Sequence, residues 1–178
     1  MHCYKAPLRD LDFIRYEVLD FDAHCRAMGV TDFLNREAFA ELAALGWPML
    51  THAEEFGGQG MPDSLGLVTG ELLASACWAW SIYPGLSIGA VRTIETHGTT
   101  DQKKRFIPKL VSGEWTGTTC LTEPHCGSDL GLLTTKAVPQ ADGSYQLHGS
   151  KIFITGGDDD LGSNIVHIVL QRHRTQIR

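Results

Sequence analysis

Cys120-Leu121-Thr122-Glu123-Pro124-His125-Cys126-Gly127-Ser128-Asp129 is the stretch on which the reading of this chain turns. Residues 115–121, rich in Thr, Trp and Leu, lead into it as a strand. The turn that follows sets hydroxyls and a run of backbone amides close together. Pro124 stiffens it, and Gly127 lets the backbone pass close to a ligand. Such a turn can grip a flat, hydrogen-bonding heterocycle, although on the residues alone an ordinary strand-to-loop turn is the simpler reading. A second segment, Lys151-Ile152-Phe153-Ile154-Thr155-Gly156-Gly157, adds an aromatic ring and another hydroxyl and reads as a short strand over 151–155.

Outward from the turn, the chain changes character at Gly113. Before it, helical periodicity dominates. Residues 9–19 place Leu11, Ile14, Val18 and Leu19 on one stripe, and residues 33–45 repeat the pattern with Leu34, Ala38, Leu42 and Leu45, stopped by Gly46. Trp47-Pro48-Met49-Leu50 reads as extended. Gly57-Gly58-Gln59-Gly60 is a turn cluster, and Pro62-Asp63-Ser64 is a helix start. Thr99 and Gln102 match a capping box, so a helix begins at Thr100, with Pro108 expected to bend or interrupt it and Gly113 to end it. After Gly113, residues 133–138, 144–148 and 164–170 are strand candidates, with Ala141-Asp142-Gly143 as a hairpin turn. The expected class is α+β: a helical N-terminal domain over 1–113, an incomplete antiparallel β-domain over 114–170, and a divergent basic tail over 171–178.

Residues 72–91 carry no formal charge for about the length that spans a bilayer. Ser75, Ser81, Ser87, Gly85, Gly89 and the Tyr83-Pro84-Gly85 breaker argue instead for two short buried helices joined at Pro84. No membrane span is expected.

The 178 residues are 43% hydrophobic and 20% charged, enough to bury a core. A net charge of -6 is a poor basis for gripping nucleic acid, which calls for a basic face. Cys3, Cys25, Cys77, Cys120 and Cys126 form no CxxC pair and read as reduced thiols, mostly small buried hydrophobes, in a cytoplasmic protein. The N-terminus lacks a basic-then-apolar signal pattern. No phosphate loop of either glycine-rich type is present. Asp158-Asp159-Asp160 lacks calcium-loop spacing, and His125-Cys126 has no second ligand pair at zinc-site spacing, so no metal is expected.

The block from Trp115 through Leu132 resembles the flavin signature of the acyl-CoA dehydrogenases, most specifically in Thr122-Glu123-Pro124-His125-Cys126-Gly127-Ser128-Asp129. Other segments agree and are in order. Tyr4-Lys5-Ala6-Pro7-Leu8-Arg9-Asp10 resembles the N-terminal extension of the branch that includes the methylmercaptopropionyl-CoA dehydrogenases. Glu55-Phe56-Gly57-Gly58-Gln59-Gly60 resembles the family's interhelical glycine turn. His97-Gly98-Thr99-Thr100-Asp101-Gln102 and Phe106-Ile107-Pro108-Lys109-Leu110 resemble the helix before its β-domain.

The resemblance implies FAD as cofactor, with Thr119, Cys120, Leu121 and Thr122 from one segment and Phe153, Ile154 and Thr155 from the other against the flavin. Many family members have Trp where Phe153 stands. It also implies that Ser128 meets the thioester-bearing arm of an acyl-CoA, that an electron-transfer protein reoxidises the flavin, and that the full-length protein is a homo-oligomer. The resemblance puts Thr122 and Thr155 on adjacent strands of one sheet.

The family's proton-abstracting carboxylate lies on a later helical domain. No catalytic residue is therefore expected here, Glu123 being a loop residue of the motif, and the chain is expected to be a truncated fragment that is inactive alone. The competing reading is a non-enzymatic remnant or interaction module that keeps the fold and binds no flavin. Flavin absorbance after purification separates the two.

Overall fold

The computed structural model describes residues 36–76 and 78–172. The helix expected over 9–19 and all but the first two residues of the basic tail lie outside the described residues.

Helix α1 (Arg36–Ala44) is built from strong helix formers and ends where Gly46 takes a left-handed φ of 74°. Its buried face is Phe39 and Ala43, one turn apart. The expected stripe ran through Leu42 and Leu45 instead; Leu42 is only half-buried and Leu45 is exposed. Trp47–Met49, expected to be extended, is a turn of 3₁₀ helix with Met49 buried. Left-handed Gly46 turns the chain, and the fixed φ of Pro48 suits a helical turn as well as an extended one.

Helices α2 (Asp63–Ala76) and α3 (Trp78–His97) follow. No break is seen at Pro84, which lies inside α3. Proline removes a single backbone hydrogen bond there. Beyond it, Ser87, Ala90, Val91 and Ile94 are buried, and that packing carries the helix on. Of the stretch 72–91 expected to be buried, Leu72 at the end of α2 is exposed, as are Leu65, Leu67 and Val68 before it. Among the described residues no helix is long and apolar enough to cross a membrane.

Helix α4 (Thr100–Val111) starts with the capping box in place. Thr99 Oγ1 accepts from the Gln102 amide at 3.2 Å, and Gln102 Oε1 accepts from the Thr99 amide at 2.8 Å. It runs through Pro108 without interruption and is followed by left-handed Gly113. Ile107, Leu110 and Val111 are its buried face.

Strand β1 (Trp115–Cys120) lies against α3. Gly117 makes the close approach possible: a Cβ there would stand 2.7 Å from Ala90 Cβ, and its amide donates to Ser87 Oγ at 3.0 Å. Strands β2 (Lys136–Pro139) and β3 (Tyr145–His148) form an antiparallel hairpin, whose turn is closed by Asp142 accepting from Ser144 and by Gly143 at φ 82°. Strand β4 (Asn164–Val169) pairs with β1, Trp115 opposite Asn164 through Cys120 opposite Val169. That ladder is parallel, which corrects the all-antiparallel expectation. The residues between β1 and β4 include a complete hairpin, long enough to return the chain to the starting end of β1. Helices followed by a β region is the observed α+β order.

The core lies between the helices and the β1–β4 sheet. Met49, Ala90, Val91, Ile94, Ile107, Leu110 and Val111 are buried together, with Trp115, Val166 and Ile168 packed on them. Each large aliphatic side chain removed from water there is worth about 1.5–3 kcal/mol.

Candidate functional site

The exit of β1 is held in place by a buried carboxylate. Glu123, 2% exposed, accepts from the Thr134 amide (2.8 Å) and hydroxyl (2.7 Å), the Thr135 amide (2.9 Å) and Lys151 Nζ (3.0 Å). Lys151 Nζ also donates to the Leu121 carbonyl at 2.8 Å. Burial alone would raise the Glu123 pKa. The Thr135 and Thr134 donors outweigh it and hold the carboxyl well below the usual carboxylate range.

This network pins residues 121–123 to residues 151–155. The Ile152 amide donates to the Thr122 carbonyl at 3.0 Å, and Thr118 Oγ1 donates to the Thr155 carbonyl at 2.6 Å. The two segments singled out from the sequence therefore meet, thirty-odd residues apart in the chain. They do not meet as adjacent strands. Residues 151–155 are not a strand: Phe153 sits at φ 56° and Gly156 at φ 62°. Left-handed residues break the alternation of a strand, and the segment is held by the Lys151 side chain and one backbone bond instead. A left-handed φ at a bulky residue stores strain of about 1–3 kcal/mol. It leaves the Phe153 ring 65% exposed.

Thr119 and Cys120 end β1, Thr119 half-buried and Cys120 buried. Cys120 Sγ stands 3.5 Å from His167 Nδ1; burial raises its thiol pKa, opposed by the Lys151 charge. Leu121 is exposed, Thr122 and Ile154 are half-buried, and Thr155 is exposed. Among the described residues, the amides of Leu121 and Thr122 and the hydroxyls of Thr122 and Thr155 have no hydrogen-bond partner. Among the described residues, the outer edge of β1 has no partner strand in its two-stranded sheet. The arrangement thus offers free donors beside an open aromatic face, a donor set suited to a flat heterocycle with acceptor atoms along one edge. Ser128 is exposed on the loop just beyond, where Asp129 caps a 3₁₀ turn by accepting from the Gly131 amide at 3.0 Å.

Sequence reading missed the Glu123–Lys151 pair, the element that joins the two segments. Its trace was there: one acid and one base, each within a segment otherwise chosen for hydroxyls and glycines. It also missed that Glu123, His125 and Cys126 bring ligand atoms within 4.8 Å of one another.

Comparison with known proteins gives one consistent result. Residues 11–114 match the family described as acyl-CoA dehydrogenase, N-terminal domain. The chain is 42% identical over 137 residues to 3-methylmercaptopropionyl-CoA dehydrogenase of Ruegeria pomeroyi, which covers 77% of this chain and 23% of that protein. The fold is similar to that of acyl-CoA dehydrogenase from Geobacillus kaustophilus, with TM-score 0.70 and 26% identity over 97% of this chain and 45% of the other. It is also similar to the FAD complex of PigA, with TM-score 0.64 and 25% identity over 75% of this chain and 36% of the other. The chain therefore spans about a quarter of the length of the curated relative and under half of these solved structures.

Proposed function

The chain belongs to the acyl-CoA dehydrogenase family, and from that premise we propose that it supplies the flavin-holding edge of an enzyme that dehydrogenates an acyl-CoA thioester. The observation that supports this reading is that the Ile152 amide donates to the Thr122 carbonyl and the Thr118 hydroxyl to the Thr155 carbonyl, which brings residues 152–155 to β1 and its exit, while the Leu121 and Thr122 donors have no partner among the described residues.

FAD fits the residues present, because a flavin has acceptor atoms along one ring edge and the exit of β1 offers two backbone amides and a hydroxyl with no partner among the described residues. Leu121 and Thr122 would hold that edge through their donors, which suits a ring that takes up negative charge. Thr119 and Cys120 form the strand end that carries them. Phe153 and Ile154 supply an apolar surface, and Thr155 a further hydroxyl. When bound, FAD supplies a hydride acceptor. Ser128 orients the thioester-bearing arm of the acyl-CoA from the loop.

Glu123 takes no part as a base. It is an ion-paired anchor whose four donors fill its lone pairs. The carboxylate that removes the proton next to the thioester carbonyl comes from outside the described residues. On this reading the described residues hold a flavin edge and no base, and the chain alone does not turn over substrate. The same reading places the protein in the cytoplasm and in fatty acid metabolism, as a homo-oligomer at full length served by an electron-transfer protein.

Flavin titration tests the assignment. FAD added to the purified chain should bind saturably, and Thr122→Val and Thr155→Val should each weaken it by about three- to tenfold, the effect of one hydrogen bond of about 1 kcal/mol. Anaerobic addition of acyl-CoA thioesters should not bleach the bound flavin, since loss of a positioned base alone costs about 10² to 10⁴ in rate. Wild-type affinity in both variants would remove these residues from the flavin edge. Bleaching at an ordinary enzymatic rate would show that the base lies within this chain.

A further inference from the structure

The Lys151 side chain is nearly enclosed, 11% exposed, and its ammonium donates in two directions. One bond goes to Glu123 Oε1 at 3.0 Å, the other to the Leu121 carbonyl at 2.8 Å. That carbonyl belongs to the peptide unit shared by Leu121 and Thr122. In a planar trans peptide the C=O and the N–H point in opposite directions. With Lys151 on the carbonyl side, the Thr122 N–H is directed away from it, and this amide has no partner among the described residues.

The same bond acts on the electrons of the amide. A hydrogen bond to a carbonyl draws density off the peptide nitrogen and makes the N–H of that unit a stronger donor. Linked bonds reinforce one another by about 10–30% each, and a charged donor makes the first bond about twice as strong as a neutral one would. A nearly enclosed ammonium is also screened little by salt. Glu123 does not cancel the effect, because its carboxylate is shared with Thr134 and Thr135 as well as with Lys151. The next peptide unit differs. Its Thr122 carbonyl accepts from the neutral Ile152 amide at 3.0 Å, and its Glu123 N–H is already taken by the Cys126 carbonyl. The Leu121–Thr122 unit thus joins a cation on its carbonyl to an open N–H.

We propose that Lys151 is a positioning residue for the flavin: its ammonium orients and polarises the Leu121–Thr122 peptide, so that the Thr122 N–H holds a reduced ring more tightly than an oxidised one. The inference rests on the flavin reading above and adds what sets the ring's readiness to accept a hydride. Reduction puts more negative charge on the acceptor edge, so a strengthened donor favours the reduced form. Lys151 does this through the peptide, without touching the ring. The expected size is about two- to tenfold in that preference, the reinforcement of one bond by its neighbour.

The test compares the full wild-type chain, Glu123→Gln, and the Glu123→Gln, Lys151→Met double variant, which removes both charges of the pair. Isotope-labelled threonine makes the Thr122 amide nitrogen visible by NMR, and Thr122→Val identifies its signal. Without flavin, this nitrogen should move upfield in the double variant. It should stay or move downfield in Glu123→Gln, where the ammonium no longer shares itself with a carboxylate. With FAD bound, anaerobic dye equilibration should show the preference for the reduced form falling by about two- to tenfold in the double variant, tenfold being about 30 mV for a two-electron couple. Glu123→Gln should keep the wild-type preference. A Lys151 that only held the fold would act together with Glu123, and the two variants would then fall alike. An unmoved nitrogen shift in the double variant, or an equal fall in Glu123→Gln, would overturn the proposal and leave the flavin reading standing. Absence of saturable FAD binding by the wild type is a different failure. It would overturn the flavin reading and the tuning role together, with the polarised peptide still visible in the shift.

Discussion

Glu123 shows how much one side chain can organise. Its carboxylate joins residues from three separate stretches: the turn it sits in, Thr134 and Thr135, and Lys151. Because its pKa is lower folded than unfolded, the folded state is favoured fully above the unfolded value, near the ordinary 4.5, and loses that advantage as pH falls below it. Stability of the wild type should therefore decline more steeply from about pH 5 to about pH 3 than that of Glu123→Gln. Urea unfolding across that range checks it, and parallel curves would contradict the assigned role. Lys151→Met should lower the unfolding midpoint at neutral pH, and the Glu123→Gln, Lys151→Met double variant should lose less than the sum of the singles, because each single change strands a buried partner.

At the scale of elements, the contact between α3 and β1 sets the frame for the candidate site. It depends on small residues: Gly117 on the strand against Ala90 on the helix, with the Ser87 hydroxyl bridging to the strand amide. Gly117→Ala should destabilise the fold by about 1–3 kcal/mol through overpacking. Adding Ala90→Gly should restore part of the loss, less the helix penalty of about 0.5–1 kcal/mol for glycine. Thermal unfolding of the three variants measures this. No recovery in the double variant would mean that the strain at Gly117 comes from something other than the helix. The same element explains why Pro84 does not break α3. Half a helix fastened to a sheet tolerates one missing backbone bond.

On the scale of the molecule, the helical layer is lopsided. One side of α3 and α4 covers the sheet, while α2 turns Leu67, 77% exposed, and Leu72, 62% exposed, outward beside Trp78. An open apolar groove of about 500 Å³ runs between α2 and α3, lined by Trp47, Leu73, Ile82 and Ile88 among others. Exposed apolar surface of this kind promotes self-association. Leu67→Lys combined with Leu72→Lys should reduce the apparent mass in sedimentation of the isolated chain. The unfolding free energy should stay within about 0.5 kcal/mol per site, as at solvent-facing positions generally. A large stability loss would show that these side chains are covered in solution.

What the sequence determined by itself follows from local chemistry. The capping box at Thr99, the stop at Gly113, the hairpin turn at Asp142-Gly143, the strand at 115–120 and the order of helices before strands are each set by neighbours in the chain, and all are legible there. The family resemblance was legible for the same reason, since it rests on contiguous residues around Thr122 and Ser128. Only tertiary structure decided the rest. Which face of α1 is buried, that α2 faces solvent, and that β4 returns parallel to β1 depend on what lies opposite, and periodicity carries no record of a partner. The irregular path of residues 151–155 was hidden too. A strand-like composition yields to a left-handed Phe153 because a buried Lys151–Glu123 pair and the Thr122 carbonyl hold the segment more strongly than any ladder available to it.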